Sequence, residues 1–400
     1  MVRSPDPEPE TGLAPETRAI TAGRADNDGA LAPIVWATTA FEVPTIREAR
    51  RLATRPRATR YYTRHGNPSV RAFEDALAEL EGAEASLAFA SGMGAIFATV
   101  MSLCGKGSHV VAQRQCYGGT LQLLNQLCPR VGIEVTLVDG TRPGAFAEAV
   151  RPGETMVVLA ETPANPRLDL VDLDELGAIT GPITVVDSTF ATPLGQRPLD
   201  HGVDLVIHSA TKAIAGHNDA SLGVVAGVRD LVDWVWGFAV LQGAVPSPHD
   251  ATAALRGLRT LGVRLRQQSA TALALASTLE GRADVGGVRY PGLASHPQAA
   301  LAARQLRHGG GLLTFDLPGG IEAGERFVEA VRLCRPAPSL GGPETLVTHP
   351  ASTTHAGLSD EELVAAGITG GTIRVSAGLE DTDDVVADVL AAVAASTVDQ

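Results

Sequence analysis

The run Val203-Asp204-Leu205-Val206-Ile207-His208 ends abruptly in Ser209-Ala210-Thr211, and Lys212 follows. Such a run reads as a buried strand of a parallel sheet. The C-terminal end of that strand is where open α/β sheets seat ligands. A lysine walled by apolar residues loses its proton more readily than one in water. Its neutral amine attacks carbonyls and forms a Schiff base. Ser209 and Thr211 offer hydroxyls to an anion such as phosphate. Taken alone, the stretch fits a surface lysine after a strand equally well.

Six further constellations bear on that choice. Asp187 closes Val185-Val186-Asp187, 25 residues before Lys212, and one βαβ crossover fits between them. It is either a strand-end cap or an acid that keeps a heterocyclic nitrogen protonated. Ser91-Gly92-Met93-Gly94 opens a helix directly after a strand, where free N–H groups face an anion. It is neither GxGxxG nor GxxxxGK[ST], so a small phosphate ligand fits better than a dinucleotide. Tyr117, beside Gly118-Gly119, can lay its ring on a planar ligand. Asn165 stands in Glu161-Thr162-Pro163-Ala164-Asn165-Pro166, again after a strand. Arg374 sits inside the apolar strand Thr372-Ile373-Arg374-Val375-Ser376, where a charge is costly unless paired. Its partner is a substrate carboxylate or a structural Asp or Glu. Tyr62 and Arg64 lie in a loop, either solvated or reaching an anion. A lysine, an aspartate, a tyrosine and an anion site, all at strand ends, describe pyridoxal 5'-phosphate.

The elements that must position these residues alternate. Strands are expected at 87–90, 109–112, 134–139, 155–160, 183–187, 203–208 and 222–227, with helices at 94–104, 118–128 and 172–179. That order predicts an α/β fold with a mostly parallel sheet. Asn67 caps a helix with Pro68 at its first position, and Val70, Phe73, Leu77 and Leu80 form its apolar stripe before Gly82. Beyond about residue 255 the texture shifts to one long helical region, 255–279, then strands at 312–317 and 373–376 and a helix at 383–395. The expected organisation is a disordered 1–16, an N-terminal arm over 17–62, a cofactor-binding large domain over 63–255 and a smaller α+β domain over 256–400. Within the arm, residues 47–60 hold six arginines. They form either a solvated helix or a surface that packs on a partner subunit.

Composition narrows the classes. The chain is 44% hydrophobic and 19% charged, with a net charge of −13. No basic surplus exists to neutralise phosphates, which argues against a nucleic-acid binder. Cys104, Cys116, Cys128 and Cys334 match no metal framework and read as free thiols of a reducing cytoplasm, so no metal site is expected. The polar N-terminus has no signal-peptide core. Residues 85–105 carry no charge, but Ser, Thr and Gly interrupt them, so a buried strand–turn–helix fits better than a membrane span.

The motifs Tyr62-Thr63-Arg64, Ser91-Gly92-Met93, Tyr117-Gly118-Gly119-Thr120, Glu161-Thr162-Pro163-Ala164-Asn165-Pro166, Ser209-Ala210-Thr211-Lys212, Ser339-Leu340-Gly341-Gly342 and Ile373-Arg374-Val375-Ser376 resemble the Cys/Met-metabolism, or trans-sulfuration, family of fold-type I pyridoxal-phosphate enzymes. The resemblance implies the family's γ-elimination or γ-replacement on an L-amino acid. It implies that Lys212 carries the cofactor as a Schiff base and shuttles protons, and that Asp187 pairs with the pyridine nitrogen. Tyr117 would stack on the ring. Gly92, Met93, Ser209 and Thr211 would hold the phosphate. Arg374, with Ser339 and Asn165, would bind the substrate carboxylate. Tyr62 and Arg64 would reach into a neighbour's site within a homotetramer. Departures stand around the pocket. Pro338 replaces a common Glu that would face a distal amino group, Gly119 replaces the Cys of methionine γ-lyases, Ala213 a common aromatic residue, and Ser188 a common Asn. They suggest a substrate unlike cystathionine. One branch of the family eliminates chloride from a chlorinated allylglycine to give an alkyne amino acid, and that substrate has no distal charge. Methionine γ-lyase and O-acylhomoserine sulfhydrylase are further alternatives. A Rossmann-type dehydrogenase lacks its glycine fingerprint here, and a non-catalytic binding protein would not need these cofactor positions intact.

Overall fold

The structure is a computed structural model that describes residues 12–25, 27–357 and 359–396. Its larger sheet has seven strands: β1 (Ala85–Phe89), β2 (His109–Gln113), β3 (Glu134–Val138), β4 (Thr155–Glu161), β5 (Ile183–Asp187), β6 (Leu205–His208) and β7 (Gly223–Gly227). They lie in the order β1-β7-β6-β5-β4-β2-β3. Only β7 runs against its neighbours. The C-terminal ends of β1, β4, β5 and β6 therefore share one edge of the sheet. The central strands are buried on both faces, as their Val- and Leu-rich runs demand.

Helices cover both faces. Ile96, Leu124, Leu205, Ile207 and Val225 pack on one side. On the other, Phe73, Leu77, Val224 and Leu255 form one cluster and Val111, Val158 and Leu173 another. Helix Pro68–Glu81 begins as its sequence dictates: the Asn67 side chain accepts from Ser69 N–H, and Gly82 ends it. Its apolar stripe is fully enclosed, with Phe73 and Leu77 at 0% exposure. Each such side chain contributes about 1.5–3 kcal/mol on burial.

The smaller sheet contains β8 (Gly286–Arg289), β9 (Leu312–Asp316), β10 (Arg335–Pro336), β11 (Leu346–Thr348) and β12 (Thr372–Ser376), in the order β10-β11-β12-β9-β8. Phe315, Phe327, Ile373, Val375 and Val389 fill its core. Helix Leu261–Glu280 serves both units. Leu261 and Leu265 pack into a large-sheet cluster, whereas Ala272, Leu275 and Leu279 pack into the small-sheet core.

Several expectations need correction. Disorder through residue 16 does not hold at its C-terminal end: helix Pro15–Thr21 forms, and Ala19 and Ala22 are buried. Residues 1–11 of that expectation lie outside the described residues. The helical region at 255–279 is two helices, Pro248–Leu258 and Leu261–Glu280. Arg264 donates to Gly257 O where the first helix stops, and to Ala213 O and Ile214 O in the turn after Lys212. The helix at 118–128 is a short α-helix, Gly118–Gln122, followed by a π-helical turn, Leu123–Leu127. Helix Ile46–Thr54 has no buried residue, which leaves both readings of the arginine-rich segment open. All four cysteines are free thiols. No helix among the described residues is long and apolar enough to cross a membrane.

Candidate active site

The shared sheet edge opens into a pocket of about 330 Å³. Gly92, Met93, Tyr117, Asn165, Asp187, Ser209, Thr211, Lys212, Ser339 and Arg374 all line it. Sequence segments nearly 300 residues apart meet there because β1, β4, β5 and β6 end together while β12 faces them from the smaller sheet.

Lys212 lies one turn past β6. Its Nζ donates to Ser339 Oγ at 2.8 Å. Burial, and secondly the positive charge of Arg374, pull its pKa down to about 8. Roughly a tenth to a fifth of the amine is then neutral near physiological pH, far more than for an ordinary lysine, which makes it a competent nucleophile. Arg264 fixes the turn behind it through the Ala213 and Ile214 carbonyls. Ser339 is held with φ of 95°, a conformation that costs an L-residue about 1–3 kcal/mol. The strained turn places its hydroxyl on Lys212 and its carbonyl on Arg374 Nη2, 3.0 Å away.

Arg374 Nη1 donates to Asn165 Oδ1 at 2.8 Å. The guanidinium is 3% exposed, and no carboxylate forms a salt bridge with it among the described residues. Of the two partners expected from the sequence, the structural carboxylate is therefore not the one found. Only neutral oxygens hold the cation, and its remaining N–H groups are available to an incoming carboxylate. Burial draws its pKa down to about 10, which leaves it charged at neutral pH.

Asp187 accepts from Thr189 N at 3.0 Å and Thr189 Oγ1 at 2.5 Å. Burial nevertheless raises its pKa, so a positively charged partner at the pocket face would be welcome there. At the other end of the pocket, Ser91 Oγ caps helix Gly92–Leu103 by accepting from Gly94 N. A Cβ on Gly92 would lie 2.8 Å from Ser209 Cβ, so this approach of helix start to Ser209 requires glycine. The first N–H groups of a helix lack intrahelical acceptors, which suits a phosphate. Thr211 differs from expectation in detail: its hydroxyl already donates to Leu222 O and accepts from Leu222 N. Tyr117 is 43% exposed along one wall. A Cβ on Gly119 would lie 2.6 Å from the Tyr117 ring, so the missing side chain lets the ring sit back.

Tyr62 and Arg64 do not join the pocket. Arg64 stacks over the Tyr62 ring at 5.4 Å and donates to Val240 O. Of the pocket residues that escaped the sequence reading as site residues, two bear on Asp187. Thr189 bonds Asp187, and Glu161 ends β4 directly beside Asp187 in the strand register. Glu161 was legible by the reasoning applied to Arg374, since a charge closing an apolar strand needs partners.

Residues 16–394 match the family described as Cys/Met metabolism PLP-dependent enzyme, and the chain belongs to it. It is 42% identical over 387 residues to the L-methionine gamma-lyase of Pseudomonas putida, covering 95% of this chain and 97% of that protein. It is 41% identical over 388 residues to the O-succinylhomoserine sulfhydrylase of Pseudomonas aeruginosa, covering 96% of each. A crystal structure of cystathionine gamma synthase from Xanthomonas oryzae pv. oryzae, in complex with aminoacrylate and cysteine, superimposes with a TM-score of 0.90 at 38% identity. That match covers 96% of this chain and 99% of that one. The protein is thus an enzyme of the fold-type I pyridoxal-phosphate class. The donor set fits the cofactor: an amine, a carboxylate, a ring wall and a glycine-permitted anion cradle lie in one pocket.

Proposed function

We propose that this enzyme carries out γ-elimination or γ-replacement on an L-amino acid with a leaving group on Cγ. The observation that carries the reading is the buried Lys212 amine, held on Ser339, in one pocket with Asp187 and the carboxylate-free Arg374. When bound, pyridoxal phosphate supplies an electron sink for the bonds around the substrate's Cα. Lys212 would anchor it, and its buried amine would serve as the base for protons at the substrate's Cα, Cβ and Cγ. Asp187 keeps the ring nitrogen protonated. The N-terminus of helix Gly92–Leu103 and Ser209 hold the phosphate, with Thr211 ordering the loop beside them. Tyr117 backs the ring and stands where a leaving group would need a proton. Arg374 and Asn165 would grip the α-carboxylate and so orient the substrate in the pocket that Lys212 lines.

Pro338, exposed at the pocket rim, presents no charge to the distal end of a substrate. A thioether or halogenated side chain suits that rim better than cystathionine, and relatives named L-methionine gamma-lyase agree with the former. Tyr62 and Arg64 serve the site of a neighbouring subunit in a homotetramer built from two active dimers. Their absence from their own pocket and the 87% exposure of Ile46 on the arm support this. A cytoplasmic location agrees with four free cysteines.

The purified protein should be yellow, and borohydride should fix the cofactor on Lys212. A panel of γ-substituted amino acids, scored for 2-oxo acid, ammonia and new amino-acid product, then separates elimination from replacement. A colourless protein without a Lys212 adduct overturns the proposal.

A further inference from the structure

We infer that Glu161 is a positioning residue whose carboxylate ties the Tyr117 wall and the Asn165–Arg374 grip into one unit, so that cofactor and substrate bind interdependently. This rests on the pyridoxal-phosphate reading above and deepens it. Glu161 closes β4 and is 6% exposed. Its Oε2 accepts from Tyr117 N–H at 2.8 Å, and its Oε1 accepts from Asn165 N–H at 2.7 Å. One side chain thus holds the backbone of two loops that come from different strands. The Asn165 side chain in turn holds Arg374 at 2.8 Å. The chain Tyr117–Glu161–Asn165–Arg374 runs without a break from the ring wall to the carboxylate grip.

A carboxylate is an expensive choice at this position. Glu161 stands in register with Asp187 on the adjacent parallel strand. Burial, and then the like charge of Asp187, push its pKa up to about 8. Two donors nevertheless demand it, because a carboxylate alone accepts on both oxygens and carries no donor of its own. A glutamine would turn an NH2 against one of the two N–H groups. A positively charged ring nitrogen held by Asp187 would relieve that repulsion and favour the anionic form of Glu161, which accepts from both N–H groups. Cofactor binding would then be linked, through Glu161, to the Asn165 and Arg374 grip.

The test compares wild type with Glu161→Gln, which keeps the volume. Three quantities are read: the dissociation constant of pyridoxal phosphate, the binding of glycine to the loaded protein followed by its visible spectrum, and thermal unfolding. A lost hydrogen bond to a charged group weakens both affinities by roughly tenfold to a hundredfold. Both should fall together in Glu161→Gln, with a changed visible circular dichroism. Affinities within twofold of wild type, a change in only one of them, or a drop in unfolding temperature alone would each overturn the inference. If Glu161→Gln does not fold, Glu161→Asp, too short to reach both N–H groups, is read by the same criteria. A wild-type protein that takes up no pyridoxal phosphate overturns the site reading itself. A normal wild type with unaffected variants overturns only the role of Glu161.

Discussion

Replacing Arg374 with alanine tests the substrate grip. In the wild type the guanidinium is 3% exposed and held by Asn165 Oδ1 at 2.8 Å and Ser339 O at 3.0 Å. Neither hydrogen-bond partner is charged, and the Glu161 carboxylate acts on the cation only through its charge, so the remaining N–H groups are open to an arriving carboxylate. Truncating one member of a buried, hydrogen-bonded charge pair costs about 2–5 kcal/mol. At about 1.36 kcal/mol per decade, that is a fall of roughly 30- to 5000-fold in kcat/KM. Most of it should appear as weaker binding, since the carboxylate is gripped in ground state and transition state alike. A second effect follows from charge. Arg374 helps hold Lys212 low, so its removal raises the Lys212 pKa and lowers the neutral fraction at a given pH. The assay is spectral titration of the loaded protein with an amino acid and with the corresponding amine that lacks the carboxylate. The variant should lose affinity for the amino acid and bind the amine as wild type does. Equal losses for both ligands, or unchanged amino-acid binding, would refute the assignment.

Three other expectations are more local. Capture of pyridoxal phosphate by the cofactor-free protein requires neutral Lys212, whose pKa burial lowers to about 8; the capture rate should rise with pH and level off just above 8, and a continued rise past pH ~10 would contradict it. Pro338→Glu adds a charge at an exposed rim, where an ion pair contributes about 0.2–1 kcal/mol, so activity on cystathionine should rise roughly 1.4- to fivefold. No gain in kcat/KM would remove Pro338 from the specificity argument. Glu81→Ala leaves His208 without its 2.6 Å partner in a site where both side chains are 0% exposed. Leaving a buried hydrogen-bonding group without its partner costs about 1–3 kcal/mol, and denaturant unfolding indistinguishable from wild type would be incompatible with it.

Large-sheet strands were legible because most of them are short apolar runs closed by a polar or small residue, and all but the antiparallel β7 end at the same edge. The chemistry follows from that edge: Asp187, Lys212 and Glu161 are strand-end residues, and the parallel register brings strand ends together whatever lies between them. The smaller sheet was only half visible. β8 is a glycine-bearing strand with half its residues exposed, β10 has two residues and β11 three. None is long enough to express a period of two. The break between Leu258 and Leu261 was hidden for another reason. At the break Arg264 folds back onto Gly257 O while also holding the carbonyls of Ala213 and Ile214, some 50 residues away, an arrangement no local pattern encodes. Arg374 was found from its cost in an apolar strand. Glu161 obeys the same rule but was read only as part of a loop motif, because its two partners are backbone N–H groups that carry no side-chain signature. Tyr62 and Arg64 carry a recognisable motif, yet nothing within one chain gives them a place in the pocket.

Helix Leu261–Glu280 has a bearing on how the chain can be cut and how it can grow. Its first turns complete the apolar layer beneath the seven-stranded sheet, and its later turns complete that of the five-stranded sheet. A fragment ending at residue 255 would therefore present a greasy trough left by Leu258, Leu261 and Leu265. A fragment beginning at 256 would display those same leucines to water. Neither half should survive excision as a well-behaved product. On the ribosome, the nascent large sheet must wait for this helix to emerge before its layer closes, although the last strand of that sheet ended at Gly227. The interval in which that surface stays bare is where chaperone binding should concentrate.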